Sequence, residues 1–128
     1  MQQQYDKINY DPAAPIVSVK IKPSVADGEH TEILLTALID SGADVTVLPE
    51  DLLIRIGAER IDKRRSRGVY GYARTVNLYL VDIQIDTLLI PSVHAIGVSS
   101  EDEPLIGRDV LNHLIVTLDG ISGLAEIS

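Results

Sequence analysis

Three features of the sequence predict a single all-β domain. Its core has to be built from Ile, Leu, Val and Ala: the 128-residue chain is 45% hydrophobic yet has no Trp, no Phe and only five Tyr, and β-branched aliphatics fit pleated sheets best. In several segments apolar residues recur with a period of two, the spacing of half-buried strands. Glycine- and aspartate-containing turns separate those segments, as connections between strands require. The length suits one domain that buries a core without disulfides or metal.

Residues 1–14 are polar and aperiodic, so the expectation is a flexible N-terminal arm followed by a folded domain over 15–128. In PIVSVKIK, Val17, Val19 and Ile21 alternate, with Ile16 set apart. Asp27-Gly28 then supplies a hairpin-type turn before a second strand, TEILLTALID, ends at Asp40. After Asp40-Ser41-Gly42 an apolar run from Val45 to Leu48 leads into PEDLLIRIG. Pro49 suits a first helical position, Glu50 and Asp51 complement a helix N-terminus, Leu52, Leu53 and Ile56 share a face, and Gly57 stops the helix.

RGVYGYARTVNLYLVDIQID reads as a hairpin with Gly68 and Gly71 near its tip. On the return, Val76, Leu78 and Leu80 alternate, then the phase slips to Val81, Ile83 and Ile85, which signals a bulge or a change of partner strand. TLLIPSVHAIGV is a further strand interrupted at Pro91, and SSEDEP an acidic surface loop. PLIGRDVLNHLIVTLDG reads as an apolar stub, a glycine turn, a short helix with Val110, Leu111 and Leu114, and a strand from Ile115 to Leu118. ISGLAEIS adds a short terminal strand.

Composition narrows the function. The net charge of −8 argues against nucleic acid as a partner, because that affinity rests on clustered Lys and Arg. The local exception, Arg60, Lys63, Arg64, Arg65 and Arg67, reads as a solvated hairpin face. The absence of Cys removes disulfides, thiolate catalysis and Cys-based metal sites. With no apolar run near the ~18 residues of a membrane span and no apolar signal core, a soluble chain is expected, cytoplasmic by default, with no membrane partner.

Several chemistries fail on spacing. His30, His94 and His113 lie far apart and match no metal-binding pattern, so no metal or other cofactor is expected. Ser41 lacks the Gly-x-Ser-x-Gly context of an activated serine, since position 39 is Ile. GVYGY lacks the Gly-Lys-Ser/Thr of a phosphate loop. What remains is Asp40 at a strand end. Alone, an Asp-Ser-Gly turn is weak evidence, but Leu105-Ile106-Gly107-Arg108-Asp109 stands before a short helix further along.

With ALIDSGADVTVLP and PLIGRDVL in that order, the sequence resembles the retropepsins, the retroviral-type aspartic proteases, over roughly residues 15–120. The resemblance implies a closed, barrel-like β fold with a flap hairpin and one or two short helices. It implies an aspartic endopeptidase whose catalytic residue is Asp40, supported by Ser41 hydrogen-bonding across a dimer, by Gly42 allowing close backbone approach and by small Ala43 beneath the substrate. Asp44 and Arg108 would form an ion pair. Gly68, Val69, Tyr70, Gly71 and Tyr72 occupy the flap position, although with less glycine than viral flaps. Val47, Leu48 and Ile106 are candidates for lining the substrate pocket, with core packing the alternative for each.

The chemistry adds a constraint of its own. Two neighbouring carboxylates share one proton, so that one activates water and the other polarises the scissile carbonyl. The chain holds one Asp-Ser/Thr-Gly, and Asp119-Gly120 lacks the Ser or Thr. The second carboxylate then has to come from another Asp40, in a symmetric homodimer acting on a peptide or protein substrate. Two alternatives stay open: a retropepsin-like dimerisation or peptide-binding domain without turnover, and a plain turn in an unrelated β-barrel.

Overall fold

A computed structural model describes residues 1–24, 31–67 and 73–128. Ten strands and two short helices follow one another: β1 (Gln2–Gln4), β2 (Ile16–Pro23), β3 (Ile33–Ile39), β4 (Val47–Pro49), α1 (Glu50–Arg55), β5 (Glu59–Arg67), β6 (Ala73–Ile85), β7 (Leu88–Val98), β8 (Leu105–Ile106), α2 (Arg108–Leu111), β9 (Val116–Asp119) and β10 (Leu124–Ile127). Seven strands form one sheet in the order β2-β3-β8-β4-β7-β6-β5, and a further β2–β6 pairing closes six of them into a ring. The mostly β, closed architecture expected from the sequence is the one found, as a ring with short β4 and β8 rather than a regular barrel.

Alternation builds this ring. Along β2 every second residue, Val17, Val19, Ile21 and Pro23, is buried. Tyr79, Val81, Ile83 and Ile85 do the same on β6. All of these but Pro23 fill a common core with Leu48, Leu53, Ile106 and Val110, each large aliphatic contributing roughly 1.5–3 kcal/mol relative to exposure. Helix α1 sits on it through Leu53 and Ile56. Pro49 lies one residue ahead of the expected position, as the N-cap, with Glu50 and Asp51 in the first turn. Gly57 ends the helix at φ +79°, a conformation that costs glycine nothing.

The phase slip in β6 has two structural causes. Ala73 to Leu80 pair with β5, whereas Val81 to Gln84 pair with β2 along the same edge. On the other edge, Pro91 and Ser92 of β7 together oppose Asp82, a bulge that shifts the register between Val81 and Ile83. Ser92 takes φ +57°, and its N–H donates to Asp82 Oδ1 at 2.9 Å. The strand therefore runs through Pro91 without interruption.

The expected flexible arm is instead built into the fold. Gln2 to Gln4 pair antiparallel with β10, which pairs with β9, giving a second sheet in the order β1-β10-β9. Tyr5 N–H donates to the Gly123 carbonyl at 2.8 Å, Asp6 and Ala14 exchange two backbone bonds, and Tyr5 packs against the core. Three glutamines show no burial pattern because an edge strand is held by its backbone and has little of its surface covered. The Asp27-Gly28 turn and the hairpin tip, Gly68 to Tyr72, lie outside the described residues.

Candidate active site

Two strand ends meet to make the site. Strands β3 and β8 run parallel, with Ile39 beside Ile106, and Asp40 N–H donates to the Ile106 carbonyl at 3.0 Å. The chain then turns tightly, Ala43 N–H reaching the Asp40 carbonyl at 3.2 Å. Within this turn Gly42 N–H donates to Asp40 Oδ1 at 2.9 Å, fixing the carboxylate at the strand end. Asp40 is half-buried, and Ser41 and Gly42 beside it are exposed.

The second motif clamps the first. Arg108 N–H donates to the Ala43 carbonyl at 2.8 Å, and its guanidinium Nη1 donates to the Ser41 carbonyl, also at 2.8 Å. Gly107 is buried, and a Cβ there would lie 2.8 Å from the Val45 carbonyl carbon and 2.9 Å from its oxygen. Both are backbone atoms that cannot swing aside, so the close crossing needs glycine.

Behind the loop lies a contact absent from the sequence reading. Thr46, the one polar residue that is fully buried among the described residues, donates through Oγ1 to Asp109 Oδ1 at 2.7 Å and accepts Gly107 N–H at 3.1 Å. Its own N–H reaches Asp109 Oδ2 at 3.0 Å. The available signal was the alternation itself, which puts Thr46 on the same inward face as Leu48.

The expected Asp44–Arg108 ion pair does not form. Asp44 instead meets Arg64 of β5 at 3.7 Å, while Arg108 is turned to the Ser41 carbonyl. Leu48 and Ile106, 1% and 0% exposed, are core residues and do not line a pocket. Leu48 follows the inward phase of Thr46, and Ile106 is enclosed between β3 and the core. Val47 is half-buried. Among the described residues no three His, Cys, Asp or Glu side chains converge to hold a metal.

Strands β5 and β6 form the arms of the hairpin, paired from Glu59–Leu80 to Arg67–Ala73, and Arg60, Lys63, Arg64 and Arg65 are exposed along it. Its root is tied to α1. Glu50 Oε2 accepts from Asn77 Nδ2 and from the Tyr79 hydroxyl, both at 3.0 Å. Burial, reinforced by the Glu50 carboxylate, pushes the Tyr79 phenol above its ordinary range.

A family profile described as gag-polyprotein putative aspartyl protease matches residues 26–113. The fold is similar to the EIAV protease complexed with the inhibitor HBY-793, at 21% identity and TM-score 0.56, over 84% of this chain and 91% of that one. It is also similar to a retropepsin-like aspartic protease from Rickettsia conorii, at 10% identity and TM-score 0.61, over 100% of this chain and 91% of that one. No curated protein matches the sequence significantly. Since the profile spans well over half of the chain and the fold agrees with it, the chain belongs to the gag-polyprotein family of retropepsin-like aspartic proteases.

Proposed function

We propose that the protein is an aspartic endopeptidase that works as a symmetric homodimer, with one Asp40 from each subunit at a shared site. The observation that carries this reading is a half-exposed Asp40 carboxylate held by Gly42 N–H at 2.9 Å, in a chain with a single Asp-Ser/Thr-Gly. In such a pair the ionised carboxylate takes a proton from water, whose oxygen attacks the peptide carbonyl carbon. The protonated partner donates to the carbonyl oxygen, and the tetrahedral adduct then collapses, its C–N bond breaking as a carboxyl proton passes to the departing amine, with no acyl-enzyme formed. Substrate lies extended beneath the β5–β6 hairpin acting as a flap, bound through main-chain hydrogen bonds as an added strand.

The surface supports association through β9. Among the described residues this strand pairs on one side only, with β10, and Ile115, Leu118 and Ile121 around it are exposed. An open edge flanked by apolar side chains is a liability in a monomer, and joining two β9 edges would bury it. The test is peptide cleavage by the folded Asp40→Asn variant, whose kcat/KM is expected to fall by at least about 100-fold. Cleavage at the wild-type rate would reject the proposal.

A further inference from the structure

A groove of about 380 Å³ opens past Asp44, its floor and wall including Ile90 to His94 of β7. Val45 lines it just past the loop, Arg64 and Leu78 come from the hairpin arms, His94 from β7, and Asp109 and His113 from α2 and the turn after it. The groove thus joins the segment that follows the Asp40 turn to the hairpin, β7 and the second motif.

Its polar groups are unevenly matched. Arg64 carries five N–H donors and no acceptor, and each imidazole carries at least one N–H in any protonation state. His94 and His113 are exposed. Among the described lining residues Asp109 is the one carboxylate, and both of its oxygens already accept from Thr46. The remaining acid nearby, Asp44, reaches Arg64 at 3.7 Å with the two side chains 73% and 44% exposed. A pair that long and that wet holds weakly and exchanges readily.

Donors therefore gather around a space whose one carboxylate is already engaged, in a chain that is otherwise acidic at −8; the Ser92 hydroxyl and a neutral imidazole can accept as well as donate. An occupant that complements it carries a carboxylate, and a short apolar stem would pack on Val45 and Leu78. A carboxylate meeting Arg64 in bidentate fashion would outcompete the long contact to Asp44. We propose that this groove is a specificity subsite for an acidic side chain of the substrate, glutamate above all, with Arg64 exchanging Asp44 for the substrate carboxylate. The proposal rests on the peptide-cleaving reading and names the substrate feature that reading leaves open.

The test uses peptides that carry Glu, Gln or Lys at each of the four positions on either side of the cleaved bond. At one position the wild type is expected to prefer Glu over Gln by about tenfold in kcat/KM, and raised salt should erode the preference. Arg64→Glu should invert it toward Lys, and Arg64→Gln should abolish it. Each readout is a ratio between peptides on one protein, so a general loss of folded protein cancels. Equal ratios in wild type and Arg64→Glu would overturn the subsite. If no peptide is cleaved, the protease reading fails by itself, and fluorescence anisotropy with the same peptides decides the groove. Tighter binding of the Glu peptide that is lost in Arg64→Glu supports it, and equal binding overturns it.

Discussion

The Thr46 hydroxyl donates to Asp109 Oδ1 at 2.7 Å while accepting the Gly107 N–H at 3.1 Å, so one buried side chain joins the two sequence motifs. Thr46→Val keeps the shape and removes both bonds, leaving a buried N–H unsatisfied. The expected loss is about 1–3 kcal/mol, measured as a lower midpoint in urea unfolding, with Thr46→Ser retaining most of the stability.

Gly107→Ala should cost more than an ordinary surface change. Its Cβ would press on Val45 backbone at 2.8 Å, so the crossing of β8 with the Asp40 loop has to open. Overpacking of this kind costs roughly 1–3 kcal/mol. Thermal unfolding measures that loss, and reduced cleavage by the folded fraction would show that the loop itself has moved.

At the hairpin root, Tyr79→Phe removes the hydroxyl's bond to Glu50 at 3.0 Å and should cost about 1 kcal/mol near neutral pH. The sign of the pH effect follows from the raised Tyr79 value, whose first cause is burial. A group whose folded value is raised stabilises fully below its unfolded value of 10.0 and loses that contribution as pH climbs through the folded one. Wild type should therefore lose its advantage over Tyr79→Phe in alkali, as parallel unfolding titrations would show.

Asp119 behaves in the opposite sense. Its carboxyl is held below the ordinary range, first by the Ser122 N–H, which it accepts at 3.0 Å in the β9–β10 turn. A lowered folded value gives stability above the unfolded 3.8 that is lost as pH falls through the folded value. The difference in melting temperature between wild type and Asp119→Asn should be present near neutrality and vanish in strong acid.

Leu118→Glu places a charge on the exposed β9 edge without touching the core. If two copies join there, the variant should sediment as a monomer at concentrations where wild type is dimeric, and activity should fall in parallel.

Much of this architecture was legible in the sequence because burial leaves a period. Val17, Val19 and Ile21 announced β2, and the slip after Leu80 announced a bulge or a change of partner without saying which, where the structure has both, a bulge opposite Asp82 and a change from β5 to β2. Edge strand β1 was not legible, since backbone pairing of Gln2 to Gln4 leaves no mark on side-chain choice. Asp40, Gly42 and Gly107 stood out in the sequence as turn residues at strand ends, and the structure brings them together where β3 and β8 end. The partners of charged residues did not: Asp44 meets Arg64 of β5 while Arg108 turns to the Ser41 carbonyl, contacts between segments far apart in the sequence. Leu48 and Ile106 carried the right chemistry for a pocket but face inward, which needs the register of β4 and β8 to decide.

In the proposed mechanism one active site needs two copies of Asp40, and subunit mixing tests this most directly. Wild type and Asp40→Asn are unfolded, combined in varying ratio at constant total protein, refolded together and assayed on a peptide substrate. If each site draws one carboxylate from each subunit, activity follows the square of the wild-type fraction and falls to about a quarter at equal mixing. A linear decline, to about half at equal mixing, would mean that each chain works alone and would contradict the account.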